Sequence, residues 1–187
     1  MIIPENEKMN RREFIKENFL SSIGFLMKFI DASMTTEVNY IRPPGVQEEW
    51  DFLTSCTRCG VCQDSCPEGI ISLFSTNSGV KLTGTPYLNL TKAACTFCNK
   101  CIETCPTEAL TYGTHAVVLG TAKVIKKNCI TFEGVMCDYC IRSCPVNALV
   151  GRGGQPEVDV DICIGCGICI AACIEEYKGI TIVPRST

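Results

Sequence analysis

Three stretches of this chain repeat one pattern of thiols, Cys-x2-Cys-x2-Cys-x3-Cys. They are Cys56, Cys59, Cys62 and Cys66; Cys95, Cys98, Cys101 and Cys105; and Cys163, Cys166, Cys169 and Cys173. A fourth set, Cys129, Cys137, Cys140 and Cys144, has seven residues in its first gap, and together the four sets use all 16 cysteines. Three thiols within seven residues are too tightly grouped for separate disulfides. Zinc favours two separated Cys-x2-Cys pairs, not a triple followed by a lone cysteine. The spacing is instead that of [4Fe–4S] ligation, in which the fourth cysteine of a run reaches the neighbouring cluster. Four cubes with four thiolates each consume every thiol, leaving none for nucleophilic chemistry and no iron short of a cysteine. The reading is electron transfer through four [4Fe–4S] clusters, with no catalytic residue.

The residue after the second cysteine of each set is Gly60, Asn99, Asp138 or Gly167. These types tolerate positive φ best, as a loop wrapped around a cube with its amides turned inward requires. That agreement sets the register of the third group, with Cys129 as its first ligand and residues 130–136 as an insertion. Pro67, Pro106 and Pro145 follow three of the fourth cysteines; a fixed φ and a missing amide donor lead the chain away in a defined direction. Ile174 takes that place after Cys173, so a different exit path is expected there.

The elements that position these loops recur. First cysteines lie 39, 34 and 34 residues apart, an internal repeat. After the fourth cysteines come short β-like stretches, Ile70–Phe74, Leu110–Tyr112, Leu149–Val150 and Ile180–Val183. Tyr87–Leu90, Val117–Ile125 and Val158–Val160 precede the second, third and fourth sets. Ser75–Gly79 and Gly151–Pro156 read as connecting or hairpin loops. Each unit is strand, cluster loop, short helix, strand, and two units make one ferredoxin-like module. The expected fold class is α+β, with two tandem modules over residues 51–120 and 121–187 behind an N-terminal segment, 1–50, of helix and linker.

Only 18 residues separate Cys144 from Cys163, a compact separation resembling that of small two-cluster ferredoxins. The third set is therefore paired with the fourth and the first with the second. The expected ligand sets are Cys56, Cys59, Cys62 and Cys105; Cys95, Cys98, Cys101 and Cys66; Cys129, Cys137, Cys140 and Cys173; and Cys163, Cys166, Cys169 and Cys144. A nested pairing, first with fourth and second with third, satisfies ligand exchange equally well and stays open at this point.

The formal charge of −3 becomes more negative as thiolates bind clusters. With no basic excess, nucleic-acid binding has no electrostatic support. Lys123, Lys126 and Lys127 read as a solvated strand edge. The carboxylate pairs Glu48–Glu49 and Glu175–Glu176 read as solvated faces, the latter placed to add negative charge near the fourth cluster. There is no dinucleotide or phosphate-loop motif. His115, the one histidine, reads as a loop or strand-end residue.

Near the start, Arg11-Arg12 with the apolar run Phe19–Met27 has the look of a twin-arginine export signal. Lys28 and Asp31 interrupt that run, and no small-x-small cleavage site follows soon after. Ile15, Phe19, Ile23, Leu26 and Ile30 share one helical face. Residues 12–30 are therefore expected to form a retained docking helix, covered by a partner subunit or a membrane surface, in a cytoplasmic protein; periplasmic export is the alternative.

With Arg11 and Arg12, the segment Arg42-Pro43-Pro44-Gly45, the stretch Gly84-Thr85-Pro86 and the long Cys129–Cys137 gap, the chain resembles the NapG/MauM-type ferredoxin proteins. That resemblance implies a non-catalytic electron-transfer subunit with cluster ligands at all sixteen cysteines. It also implies a redox enzyme as partner. Similar four-cluster polyferredoxins accompany tungsten-dependent aldehyde oxidoreductases, so the expected partner is a tungsten- or molybdenum-pterin oxidoreductase. The alternative is an exported, quinol-side role in a periplasmic nitrate reductase system.

Overall fold

Among the described residues, six short strands and five short α-helices carry the cysteine loops. The structure, a computed structural model, describes residues 40–113 and 117–184. Arg11, Arg12, the segment 12–30 and His115 lie outside the described residues. The described residues belong to one unit, Val38–Thr187, into which both expected modules fall.

The helices are α1 (Glu49–Ser55), α2 (Val61–Asp64), α3 (Lys100–Glu103), α4 (Tyr139–Arg142) and α5 (Ile168–Ala172). The strands are β1 (Ile71–Leu73), β2 (Pro86–Leu88), β3 (Gly120–Val124), β4 (Leu149–Arg152), β5 (Gln155–Val158) and β6 (Ile180–Pro184). Helices of four to seven residues do not stand alone in water. Here the flanking loops and a shared apolar core hold them.

The second half has the plainer topology. β3 pairs antiparallel with β6, from Gly120↔Pro184 to Val124↔Ile180, so its first and last strands lie side by side. Between them β4 and β5 form a hairpin closed by Arg152↔Gln155. Its two loop residues, Gly153 (φ 58°) and Gly154 (φ 81°), both take the left-handed conformation that a tight hairpin turn needs. Alternation decides the faces: Ala122, Ile180 and Ile182 are buried while Lys123 and Val183 face water. Lys126 and Lys127 leave this strand and lie on a single 3-10 turn, Lys126–Asn128.

The first half follows the same plan less regularly. β1 pairs with β2 from Ile71↔Leu88 to Leu73↔Pro86, and a 3-10 turn, Thr76–Ser78, lies in their connection. The expected strand at Leu110–Tyr112 is absent. The amide of Thr111 instead donates to the Gly45 carbonyl at 3.0 Å, and no regular ladder forms. Gly45 (φ 98°) is the reason the two segments approach so closely: a Cβ there would lie 2.9 Å from Ile102 and 3.0 Å from the Thr111 amide.

The segment 40–50 is therefore not a linker, contrary to the sequence expectation. Ile41 bridges to Leu88, and Arg42 is buried at 9 % exposure. Its guanidinium donates to Glu49 at 2.6 Å, to the Thr85 hydroxyl at 3.0 Å and to the Pro86 carbonyl at 2.6 Å. It also stacks on Phe52, 4.6 Å from the ring centroid. A buried cation with bidentate carboxylate, hydroxyl and carbonyl partners is satisfied rather than stranded. The Arg42-Pro43-Pro44-Gly45 and Gly84-Thr85-Pro86 motifs thus meet, and they brace the wall behind the first cysteine loop. Glu49, expected on a solvated face, is half-buried as the partner of this arginine; Glu48 alone fits that expectation.

One apolar core runs through both halves, from Ile41, Phe52, Ile70 and Leu90 to Leu119, Leu149, Ile170 and Ile182. Each such side chain contributes about 1.5–3 kcal/mol by burial.

Candidate metal centres

In three of the four sets the chain turns through the left-handed region twice, on either side of the second cysteine. The residues are Arg58 (φ 58°) and Gly60 (φ 80°), Phe97 (φ 53°) and Asn99 (φ 59°), and Gly165 (φ 70°) and Gly167 (φ 85°). Successive backbone amides in turn conformations of this kind form a concavity suited to anionic sulfur. Gly60, Asn99 and Gly167 were anticipated. Arg58 and Phe97 were not, because a bulky residue in this region carries strain that only the surroundings can offset.

The third set departs from the expectation. Asp138 sits at φ −140°, ψ 15°, not at positive φ. The turn has already been made within the insertion, where a 3-10 segment, Ile130–Glu133, ends at left-handed Gly134 (φ 85°). Asp138 still starts α4, as Gly60, Asn99 and Gly167 start their helices: its carbonyl accepts from the amides of Ile141 and Arg142 at 3.0 and 2.9 Å.

The folded chain gathers the cysteines across sets. A hollow of about 350 Å³ is lined by Cys56, Cys59, Cys62 and Cys105. A second, of about 330 Å³, is lined by Cys66, Cys95, Cys98 and Cys101. A third, of about 410 Å³, is lined by Cys129, Cys137, Cys140 and Cys173. Cys163, Cys166, Cys169 and Cys144 form the remaining group, close enough for their charges to act on one another. Glu175, read from sequence as a neighbour of the fourth set, lies on the wall of the third hollow. It follows Cys173, which crosses over to that hollow.

Burial is the leading cause wherever one of these thiols is raised. Burial, reinforced by Cys56 and Cys59, pushes the Cys62 thiol up to about 11. Burial pushes Cys95 up to about 11 against the Phe97 amide, with Cys66, Cys98 and Cys166 adding to the rise. Cys101 and Cys169 are pushed up to about 12, and Cys140 to about 11, chiefly by burial. Such thiols stay protonated at neutral pH unless positive charge enters the hollow. Cys105 is the exception. Burial alone would raise it, but the Thr107 hydroxyl and the amides of Thr107, Leu110 and Ala109 together bring it below the ordinary value.

Amides also reach the sulfurs of the second half. Ala122 donates to Cys163 at 3.3 Å, Ala148 to Cys144 at 3.2 Å and Gly179 to Cys173 at 3.3 Å. The exit after Cys173 differs from those after Cys66 and Cys144. Gly69 and Asn147 each bond back to the fourth cysteine of their set, at 3.1 and 3.3 Å. At Cys173 the Lys178 ammonium caps the carbonyl at 2.6 Å instead.

Among the described residues no three Cys, His, Asp or Glu side chains converge tightly enough for one ion. Four thiols spread around a hollow, with amides aimed at their sulfurs, suit a polynuclear cluster that supplies positive charge inside and accepts hydrogen bonds at its rim.

Known proteins agree with this donor set. A 4Fe-4S dicluster domain matches residues 55–109, and a 4Fe-4S binding domain matches residues 160–173. The chain is 31 % identical over 176 residues to the methylamine utilization ferredoxin-type protein MauM of Methylorubrum extorquens, covering 86 % of this chain and 80 % of that one. It is 30 % identical over 207 residues to the ferredoxin-type protein NapG of Escherichia coli, covering 98 % and 88 %. A chain of the formate dehydrogenase–heterodisulfide reductase–formylmethanofuran dehydrogenase complex of Methanospirillum hungatei matches 72 % of this chain and 50 % of its own length. At 25 % identity and a TM-score of 0.30, that similarity is too slight to define a shared arrangement. Fold and site define an iron–sulfur electron-transfer protein of the ferredoxin type, binding 4Fe-4S clusters. The chain belongs to the MauM/NapG-type ferredoxin family.

Proposed function

We propose that the chain holds four [4Fe–4S] clusters in two tandem ferredoxin-like modules and relays single electrons to or from a larger redox enzyme. The ligand sets are Cys56, Cys59, Cys62 and Cys105; Cys95, Cys98, Cys101 and Cys66; Cys129, Cys137, Cys140 and Cys173; and Cys163, Cys166, Cys169 and Cys144. The observation that carries this reading is the exchange of the fourth cysteine. Cys105 sits in the hollow of the first set, and Cys66 in that of the second. Cys173 lines one hollow with Cys129, Cys137 and Cys140, and Cys144 and Cys163 both act on Cys166.

The bound clusters supply one-electron redox chemistry. The chain's own groups do the rest. Sixteen thiolates hold the metal, and amides such as those of Ala122, Ala148 and Gly179 offset negative charge on sulfur. Apolar residues, among them Ile70, Ile71, Leu88 and Ile180, line the hollows and limit water. The partner class is a tungsten- or molybdenum-pterin oxidoreductase, a reading supported by the family resemblance.

Two measurements test the site. Protein purified without oxygen is expected to contain about 16 Fe and 16 acid-labile sulfides per chain, as four cubes require. Stoichiometric zinc with little sulfide would defeat the reading. Cys66→Ala is expected to perturb the cluster held by Cys95, Cys98 and Cys101 while sparing the one beside its own sequence neighbours. The reverse outcome reassigns the exchange.

A further inference from the structure

The two halves meet at one specific place among the cysteine loops. The amide of Cys95 donates to the carbonyl of Cys166 at 2.8 Å. Beside it Gly167 packs against Leu90, where a Cβ would lie 3.0 Å from the leucine's own Cβ. Cys95 belongs to the second hollow and Cys166 to the fourth group. The other two hollows show no such contact. Among the described residues no backbone hydrogen bond joins a cysteine of the first hollow to the second half, or one of the third hollow to the first half.

We propose that the Cys95–Cys166 contact is the junction through which the two halves exchange electrons, so that the sites are connected in the spatial order first, second, fourth, third. This rests on the ligand sets proposed above. From one thiolate to the other the path runs through two cysteine side chains, their backbones and a single N–H···O=C hydrogen bond. Electronic coupling weakens steeply with each gap through space, and this route contains no gap but that hydrogen bond. Each exchange is a one-electron event. The site on one side of the junction is oxidised by one electron and the site on the other is reduced by one, and no bond is made or broken. A one-electron reductant supplies the first electron at one terminal site, and a one-electron oxidant removes it at the other. The terminal sites are the first and the third. The sequence order of the cysteine sets is therefore not the order of the path.

Gly165 and Gly120 hold the junction in place from behind. A Cβ on Gly165 would lie 2.5 Å from the Gly120 nitrogen, and the Leu119 amide donates to the Ile164 carbonyl at 3.0 Å. The loop carrying Cys166 is thus pressed between β3 and the loop carrying Cys95.

The test is pulsed electron paramagnetic resonance on the intact, cluster-loaded chain reduced with dithionite. In the native protein a linear order predicts two sites with two magnetic neighbours each and two with only one. A site with three neighbours, or a closed ring of couplings, would overturn it. Cys98→Ala, which disables the second site, is expected to abolish coupling between the halves while the pair within the second half persists. Cys137→Ala, which disables the third site, is expected to leave the coupling between the halves intact. Persistence of that coupling in Cys98→Ala, or its loss in Cys137→Ala, rejects the junction. Where Cys98→Ala fails to assemble, Cys59→Ala decides: disabling the first site is expected to leave the coupling between the halves intact, and its loss rejects the junction. Iron and sulfide analysis separates the two levels of failure. Fewer than four cubes in the native chain defeats the ligand sets, whereas four cubes coupled in another order defeats only the junction.

Discussion

The loop of the fourth set and the loop of the third bring four thiols together by different means. Cys163 to Cys173 uses the shortest spacing, with Gly165 and Gly167 left-handed on either side of Cys166. Every turn is made within the ligand run, so the backbone itself is pressed against neighbours. The third set spreads the same task over a longer stretch. Its 3-10 segment and Gly134 turn the chain before Cys137 arrives, and Asp138 is left at negative φ. Thr131, within the insertion, lies 3.1 Å from the Cys129 sulfur through its hydroxyl, a polar contact that no other set makes at so short a range. What is common to both loops is where the sulfurs end up, not how the backbone delivers them. A compact loop is intolerant of side chains; an inserted one carries its conformational demand at a single exposed glycine.

Alanine substitutions sharpen that contrast, and the largest effect is expected at Gly165. Its φ of 70° penalises any Cβ by about 1–2 kcal/mol. That Cβ would also meet the backbone of Gly120 at 2.5–2.6 Å, and overpacking of this kind costs a further 1–3 kcal/mol or so. Gly165→Ala is expected to lose roughly 2–5 kcal/mol, read as faster bleaching of the visible cluster absorbance in denaturant. A midpoint equal to that of the native chain would show that β3 and this loop are not pressed together.

Gly134→Ala comes next. The left-handed penalty is similar, about 1–2 kcal/mol, but nothing lies within 4 Å of the added Cβ. The loss is expected to stop at that strain, with iron content unchanged. If Gly134→Ala proves as damaging as Gly165→Ala, the distinction between the two loops collapses.

The ligands were legible in the sequence because covalent spacing constrains them: three thiols two residues apart can do little else. The left-handed residues were legible only where glycine or asparagine advertised them. Arg58 and Phe97 adopt the same conformation with side chains that argue against it. Their φ is imposed by the tertiary structure around them, which includes the bond from Arg58 Nε to the Thr83 carbonyl at 3.0 Å. Leu110–Tyr112 has the composition of a strand but, among the described residues, only Gly45 as a backbone hydrogen-bond partner, and β structure depends on the partner as much as on the propensity. Arg42 and Glu49 looked like a motif residue and a solvated acid. Seven positions apart and on opposite sides of a Pro-Pro-Gly turn, they give no periodic sign that they face each other. Glu175 was placed near the wrong site because a residue beside a fourth cysteine travels with it into the neighbouring hollow.

The smallest effect is expected at Asp138, and it bears most directly on the comparison. Asp138 occupies the position after the second cysteine, where Gly60, Asn99 and Gly167 are left-handed. If that position carried the same demand in every loop, Asp138→Ala would incur the left-handed penalty of about 1–2 kcal/mol. At φ −140° it has no such demand. Its carboxylate makes no cap hydrogen bond to α4. Its ion pair with Arg142, at 2.8 Å, joins side chains that are 54 % and 68 % exposed. An exposed pair at this spacing contributes about 0.3–0.5 kcal/mol and is screened by salt. Asp138→Ala is therefore expected to shift the bleaching midpoint by no more than that, and the shift is expected to vanish at high ionic strength. The parallel substitution Gly167→Ala meets both a positive φ and Leu90 at 3.0 Å, so the two variants at one register position should differ by several-fold in cost. A salt-independent loss at Asp138 matching that at Gly167 would mean that the inserted loop closes around its cluster in the same left-handed way as the other three.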